Sequence, residues 1–113
     1  YAAAFFNRGF AYAKLGRFNE AIADYSQAIK AQPGNALAVY NRALAYLEVG
    51  QNEKALSDLD QVIAANDGFA RAYFQRATLL KRLGKADRAK ADYREAVALN
   101  AGFAQERFRK LFD

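Results

Sequence analysis

Apolar residues recur along the chain at helical spacing, and glycines interrupt them at regular intervals. This pattern predicts helices near residues 3–15, 19–31, 37–49, 53–65, 71–83 and 87–99. The first helix of each pair ends at Gly16, Gly50 or Gly84, since glycine suits the left-handed position after a helix. Asn19 and Asp87 are predicted to cap the helices that follow. Turns this short make neighbouring helices antiparallel.

The helical pattern repeats every 34 residues without a gap, over residues 2–35, 36–69 and 70–103. Seven positions carry the same residue in all three copies: Ala2/Ala36/Ala70, Ala4/Ala38/Ala72, Arg8/Arg42/Arg76, Gly16/Gly50/Gly84, Ala21/Ala55/Ala89, Asp24/Asp58/Asp92 and Gly34/Gly68/Gly102. Self-similarity at this period indicates stacked repeats rather than one closed core.

A seventh helix is predicted at residues 104–112, where Ala104, Phe108, Leu111 and Phe112 would share one face. It is interpreted as a cap for the last repeat, because its apolar residues are shifted by about one position from the repeat pattern. The alternative is the first helix of a truncated fourth repeat. The pattern is already under way at Tyr1, which suggests a piece of a longer chain.

Small and large apolar residues alternate in a fixed order within each repeat. In the first repeat they are Phe5, Gly9, Tyr12, Gly16, Ala21, Tyr25, Ala28 and Pro33. This order resembles the tetratricopeptide repeat, whose unit is a helix–turn–helix. The resemblance implies an all-α fold: a right-handed α-solenoid of three antiparallel helix pairs with a capping helix, in a single domain over residues 1–113.

One departure from the family pattern has a physical interpretation. An arginine stands before the small residue of each first helix, where the family usually has leucine. Each arginine faces inward, and an aspartate lies beside the inward stripe of the partner helix. An arginine fork on a carboxylate satisfies two buried charges best. We therefore predict one structural ion pair per repeat, in the pairs Arg8–Asp24, Arg42–Asp58 and Arg76–Asp92.

The opposite side of the first helices is the predicted binding surface, because the resemblance places it on the concave side of the repeat array. We call it the groove face. It consists of Phe6, Asn7, Phe10, Tyr40, Asn41, Leu44, Leu47, Arg71, Phe74, Gln75, Thr78, Lys81 and Arg82. Aromatic rings recur once per repeat, and side-chain amides beside them can pair with a peptide backbone. The predicted partner is a protein or peptide with apolar anchors near the first two repeats and an acidic group near Arg71, Lys81 and Arg82.

Some family members hold the C-terminal carboxylates of chaperone tails with lysine, asparagine and arginine residues. Asn41 and Arg71 match that set, whereas Phe6 and Phe10 stand where lysine and asparagine are needed, and Gln75 replaces an arginine. The sequence therefore disfavours a carboxylate clamp.

Two other functions stay open. The aromatic row of Phe6, Tyr40 and Phe74 could instead be internal packing, covered by the chain's own tail, a neighbouring repeat or a second copy. Tyr1, Phe5 and Phe6 suggest an apolar N-terminal edge for self-association. Residues 70–113 hold 11 of the 17 Lys/Arg residues. That excess admits nucleic-acid binding, but the charges are scattered, which is more typical of a solvated surface.

Composition excludes several classes of function. With no His and no Cys, the chain lacks the commonest general base and metal ligand, and no Gly-rich phosphate loop is present. We predict no catalysis, no metal and no cofactor. No apolar run is long enough for a membrane span, and no targeting signal is visible, so cytoplasmic localisation is only a default.

Overall fold

A computed structural model describes residues 1–113 and consists of helices and turns, with no strand. The predicted all-α fold is confirmed. The chain divides into two compact units, Tyr1–Ala65 and Asn66–Asp113. None of the helices combines the length and the apolar character needed to cross a lipid bilayer.

The first unit contains four helices in two antiparallel pairs. They are α1 (Ala2–Lys14), α2 (Phe18–Ala31), α3 (Ala36–Glu48) and α4 (Asn52–Ala65). Helix α1 packs on α2 and α3 packs on α4, and α2 also contacts α3. The two repeats of this unit therefore stack through α2 and α3.

A glycine in the left-handed conformation ends α1 and makes the tight turn into α2. Gly16 has a φ of +77°, and its N–H donates to the carbonyl of Ala13. The N–H of Arg17 donates to the carbonyl of Tyr12 at 2.9 Å. These two bonds satisfy carbonyls that the helix end leaves open. Gly50 and Gly84 end α3 and α5 in the same conformation.

Small residues let the paired helices approach closely. Ala21, Ala28 and Ala43 are fully buried where helices meet. At Gly9 of α1, a Cβ atom would lie 3.0 Å from the ring of Tyr25 in α2, closer than ordinary van der Waals contact. Tyr25 in turn is almost completely buried. The core of the first pair is thus a large ring packed against a bare helix backbone.

The second unit contains one helix pair followed by a short irregular stretch. The pair is α5 (Ala70–Arg82) and α6 (Ala86–Leu99). Residues 101–112, which we call the C-terminal segment, comprise a 3₁₀ turn at Ala101–Ala104, the four-residue helix α7 at Glu106–Arg109 and a second 3₁₀ turn at Lys110–Phe112. The segment packs on α6.

The predicted helix over residues 104–112 is wrong as a continuous element. Asn100 caps the first 3₁₀ turn by accepting a hydrogen bond from the Gly102 N–H, and Gln105 is extended at ψ 144°, which separates that turn from α7. The expected inward face is also wrong in part. Ala104 and Leu111 are exposed, whereas Phe112 is buried and Phe103 packs inward.

The predicted N-caps are each displaced by two residues. The helices begin at Phe18 and Ala86, so Asn19 and Asp87 lie in the first turn and the cap positions fall on Arg17 and Lys85. The reason is the shortness of the turn, because the residue after the left-handed glycine already serves as the start of the next helix.

Candidate interaction surface

Each repeat contains an ion pair that joins its two helices. The Nε and Nη2 atoms of Arg42 donate to the two carboxylate oxygens of Asp58, each at 2.8 Å. The hydrogen bond to Asp58 raises the pKa of the Arg42 guanidinium, which therefore stays charged inside the repeat. The same two-bond geometry, at 2.7 and 2.8 Å, joins Arg8 to Asp24 and Arg76 to Asp92.

The ion pair of the first repeat differs from that of the second in its exposure. The Arg8 side chain is 61% exposed, compared with 19% for Arg42. Arg42 is covered by the preceding helix, whose Ser26 hydroxyl accepts a hydrogen bond from Arg42 Nη1 at 3.2 Å. Phe5 and Tyr12 flank Arg8, with their ring centroids 5.9 and 6.0 Å from its Cζ.

An apolar cavity of about 230 Å³ opens in the first unit between α1, α2 and α3. Its lining consists of Phe10, Ala13, Lys14, Phe18, Tyr25, Asn41, Leu44, Ala45 and Glu48. Three of these residues, Phe10, Asn41 and Leu44, belong to the groove face. The structure therefore brings predicted binding residues from two different repeats to one cavity.

Polar groups surround this cavity at a few defined points. Lys14 lies over the ring of Phe10, with its Nζ 5.0 Å from the centroid. Burial raises the pKa of the Tyr25 phenol, and a hydrogen bond with the Asn41 amide opposes that shift. Glu48 contributes a carboxylate at the exposed end of α3. The cavity thus combines an apolar lining with one amide and one charge of each sign.

The other groove-face residues of the first unit are not equally accessible. Asn7 is exposed, whereas Phe6 and Leu47 are half-buried. Phe6 packs on Tyr25 with ring centroids 5.8 Å apart. Tyr40 is only 4% exposed, so it does not form part of an open aromatic row. Its buried ring belongs to the core, the alternative that the sequence had left open for this row.

In the second unit, the chain's own C-terminal segment covers the aromatic groove-face residue. Phe74 stacks on Phe103 at 4.9 Å and meets Phe108 edge-on at 5.0 Å. Phe112 lies 6.1 Å from Phe74 and stacks on Tyr93 at 4.6 Å. Phe74 is therefore an internal packing residue rather than an open anchor site.

The polar groove-face residues of the second unit differ in their exposure to solvent. Arg71, Lys81 and Arg82 are exposed, and Gln75 and Thr78 are half-buried. The Thr78 hydroxyl donates to the carbonyl of Phe74 at 3.0 Å, which engages it within its own helix.

Sequence reasoning missed the contribution of second helices to the cavity. Phe18 and Tyr25 both lie on α2. The sequence pattern marks Tyr25 as one of the large apolar residues of the first repeat, but it does not indicate that Tyr25 also lines the cavity. No group of acidic residues anywhere in the chain could hold a metal ion.

Comparison with known proteins supports the predicted resemblance. Family models described as tetratricopeptide repeat match residues 2–35, 25–57 and 70–103. No curated protein matches the chain.

Several solved structures are similar over nearly the whole chain. The first TPR of Spaghetti (RPAP3) bound to the HSP90 peptide SRMEEVD is 31% identical, with a TM-score of 0.90, and the match covers 97% of this chain and 89% of that one. The second TPR domain of human RPAP3, in complex with the HSP70 peptide SGPTIEEVD, is 32% identical over 98% of this chain and 91% of that one, with a TM-score of 0.88. The Arabidopsis OM64 TPR domain is 27% identical over 98% and 90%, with a TM-score of 0.90. By its repeats and its structural relatives, this chain belongs to the tetratricopeptide repeat family.

Proposed function

We propose that this chain is a protein-interaction module, without catalysis of its own, that binds a peptide segment along α1 and α3 of the first unit. The observation that carries this proposal is the apolar cavity shared by Phe10, Leu44 and Asn41. An apolar concavity with a few convergent polar groups is the usual form of a binding site.

The size and lining of the cavity favour a single large side chain as its occupant. Its volume of about 230 Å³ lies below the roughly 300–1,000 Å³ of typical small-molecule sites. Phe10 and Leu44 would contact an apolar anchor, and the Asn41 amide could pair with the backbone beside it. Asn7 offers a second amide on the exposed face of α1.

The structural relatives point to a peptide ligand, but this chain differs from a carboxylate clamp at three positions. Two RPAP3 domains are bound to peptides that end in EEVD. In this chain, Phe6 and Phe10 replace the lysine and asparagine of that clamp, and Gln75 replaces its arginine. Compared with the asparagine of the clamp, Phe10 can contact an apolar anchor of the ligand but cannot donate a hydrogen bond to a terminal carboxylate. The proposed ligand is therefore an apolar peptide segment rather than a free acidic chain end.

Selection from a displayed peptide library tests this proposal. The chain should select peptides enriched in large aliphatic or aromatic residues, and a selected peptide should bind saturably in a fluorescence anisotropy titration. Phe10→Ala is expected to weaken binding by about tenfold, or about 1.4 kcal/mol, which lies within the range for truncating a central interface anchor.

Leu15→Ala is the matched control, since Leu15 is an exposed apolar residue of the same region that does not line the cavity. It should leave the affinity unchanged within about twofold. The peptide SRMEEVD should show no saturable binding at the concentrations that saturate the selected peptide. Tighter binding of SRMEEVD, or equal losses in Phe10→Ala and Leu15→Ala, would contradict the proposal.

A second candidate function is self-association through the edge of α1. It is favoured by the exposed Arg8, which lacks the covering hydroxyl that Ser26 gives to Arg42. Sedimentation velocity at increasing concentration should then show a dimer that Phe5→Glu abolishes. A monomer at all concentrations would remove this candidate.

A further inference from the structure

A second cavity, in the second unit, lies between α6 and the C-terminal segment. Its volume is about 320 Å³. Its lining consists of Lys90, Tyr93, Arg94, Arg109, Phe112 and Asp113. None of these residues belongs to the groove face, so the cavity is separate from the proposed peptide site.

Three cations converge on this cavity from two elements. Lys90 and Arg94 stand one turn apart on the same face of α6, and Arg109 reaches the cavity from α7. No ion pair within 4 Å joins any of the three to a carboxylate. Like charges one turn apart disfavour a helix. An anion bound among the three cations would relieve this repulsion, even though the Asp113 carboxylate also lies in the lining.

The basic lining continues beyond this cavity. A smaller adjoining cavity is lined by Lys81 together with Lys90, and Phe112 borders both. An anionic ligand with several charges could therefore engage a fourth cation. This extension favours a short run of acidic groups over a single ion.

The aromatic residues of the cavity do not suit a nucleobase. The rings of Tyr93 and Phe112 stack on each other with centroids 4.6 Å apart, and both residues are buried. The Tyr93 hydroxyl donates to the carbonyl of Phe103 at 2.5 Å. Single-stranded nucleic acids bind by stacking bases on open aromatic faces along a basic track, and neither ring has an open face.

We propose that the cavity lined by Lys90, Arg94 and Arg109 binds an acidic segment, a run of Asp or Glu side chains, of a partner protein. The guanidinium groups of Arg94 and Arg109 provide the planar donors that match carboxylates, and Lys90 adds a third charge. The groove face holds an apolar anchor in the first unit; this second site adds recognition of acidic character in the same chain.

A fluorescein-labelled hexaglutamate peptide is the probe that tests this site. At low ionic strength the wild type should bind it saturably, and Lys90→Gln combined with Arg94→Gln should weaken binding by at least about tenfold. Both side chains are exposed, so the double variant should keep its helical circular dichroism spectrum. The affinity should also fall as salt is added, because the contacts are between exposed charges.

Arg88→Gln is the matched control, because Arg88 is an exposed cation of α6 that does not line the cavity. It should change the affinity by less than about twofold. Equal weakening by Arg88→Gln would show diffuse attraction and overturn the proposal, as would absence of binding at low salt. Tighter binding of a 12-mer single-stranded DNA, lost in the same double variant, would overturn the choice of a protein ligand. Phe10→Ala should leave hexaglutamate binding unchanged. The proposed peptide site in the first unit and the acidic-segment site in the second unit are therefore tested independently.

Discussion

The carboxylate of Asp58 accepts two hydrogen bonds from one guanidinium group, and almost none of its side chain reaches solvent. The equivalent carboxylate of Asp24 has the same two bonds, but its partner Arg8 is largely exposed. A charge left alone in a buried site costs far more than one that water can reach. Two pairs with identical geometry should therefore differ in their contribution to stability.

Asp58→Asn is expected to lower the free energy of unfolding by about 3–5 kcal/mol, because it removes the buried counter-charge of the half-buried Arg42. Asp24→Asn should cost clearly less. Urea unfolding followed by circular dichroism measures both. Glu53→Gln, at an exposed carboxylate of α4, serves as the control and should change stability only slightly. Equal losses in the Asp24 and Asp58 variants would contradict the role given to burial.

Tyr25 gives the first unit a dependence on alkaline pH. Burial raises the pKa of its phenol above the ordinary value of 10.0, so the unfolded chain loses its proton first as pH rises. The stability contributed by the neutral phenol is complete below pH 10 and declines above it. Tyr25→Phe should flatten the fall in unfolding free energy as the pH rises above about 10. An unchanged slope in the variant, compared with the wild type, would contradict this assignment.

At the scale of elements, the turn glycines act through backbone conformation alone. Gly50 has a φ of +78°, and a Cβ atom added there would meet nothing within 4 Å. Gly34 is equally open, but its backbone does not have a positive φ. The two residues therefore separate conformational cost from steric cost.

Gly50→Ala is expected to destabilise the chain by roughly 1–2 kcal/mol, the cost of the left-handed conformation for a residue with a Cβ atom. Gly34→Ala should be neutral or slightly stabilising, because alanine restricts the unfolded chain. Thermal unfolding of the two variants measures the difference. A larger loss in Gly34→Ala would show that the turn geometry is not the cause.

The six long helices were predictable to within about one residue because apolar spacing and left-handed glycines both mark them. The C-terminal segment was not predictable in the same way. Its apolar residues fit a helix, but Asn100 caps a 3₁₀ turn and Gln105 breaks the helix, and the aromatic contacts with Phe74 and Tyr93 stabilise that arrangement. The sequence pattern fits both a continuous helix and the observed succession of short turns, and tertiary packing stabilises the second conformation.

Phe112 and Leu111 are neighbours that distinguish the predicted tail from the observed one. Phe112 is 6% exposed and Leu111 is 40% exposed, although a continuous helix would have turned both inward. Phe112→Ala should lower the free energy of unfolding by roughly 3 kcal/mol, the low end for truncating a core phenylalanine. Leu111→Ala should cost much less in the same urea titration. Similar losses in the two variants would instead favour the predicted continuous helix, which turns both side chains inward.

At the scale of the whole chain, the candidate site of the first unit was more predictable from the sequence than that of the second unit. The cavity of the first unit contains groove-face residues named from the sequence. Helical spacing puts Phe10 and Leu44 on the face of α1 and α3 opposite the paired helix, and the family resemblance makes that face the groove. The burial of Tyr40 and the cover over Phe74 depend on three-dimensional packing, which periodicity does not report. The basic cavity of the second unit arises only because the C-terminal segment brings Arg109 to α6.

In the proposed complex, an apolar side chain of the ligand occupies the cavity beside Phe10. A double-mutant cycle tests it most directly, with Phe10→Ala in the chain and alanine in place of the anchor in a selected peptide. We predict that each change alone weakens binding by about tenfold, and that the two together weaken it by no more than about twofold beyond either one, because they remove the same contact. Losses that multiply to about a hundredfold would show independent effects and would contradict the account.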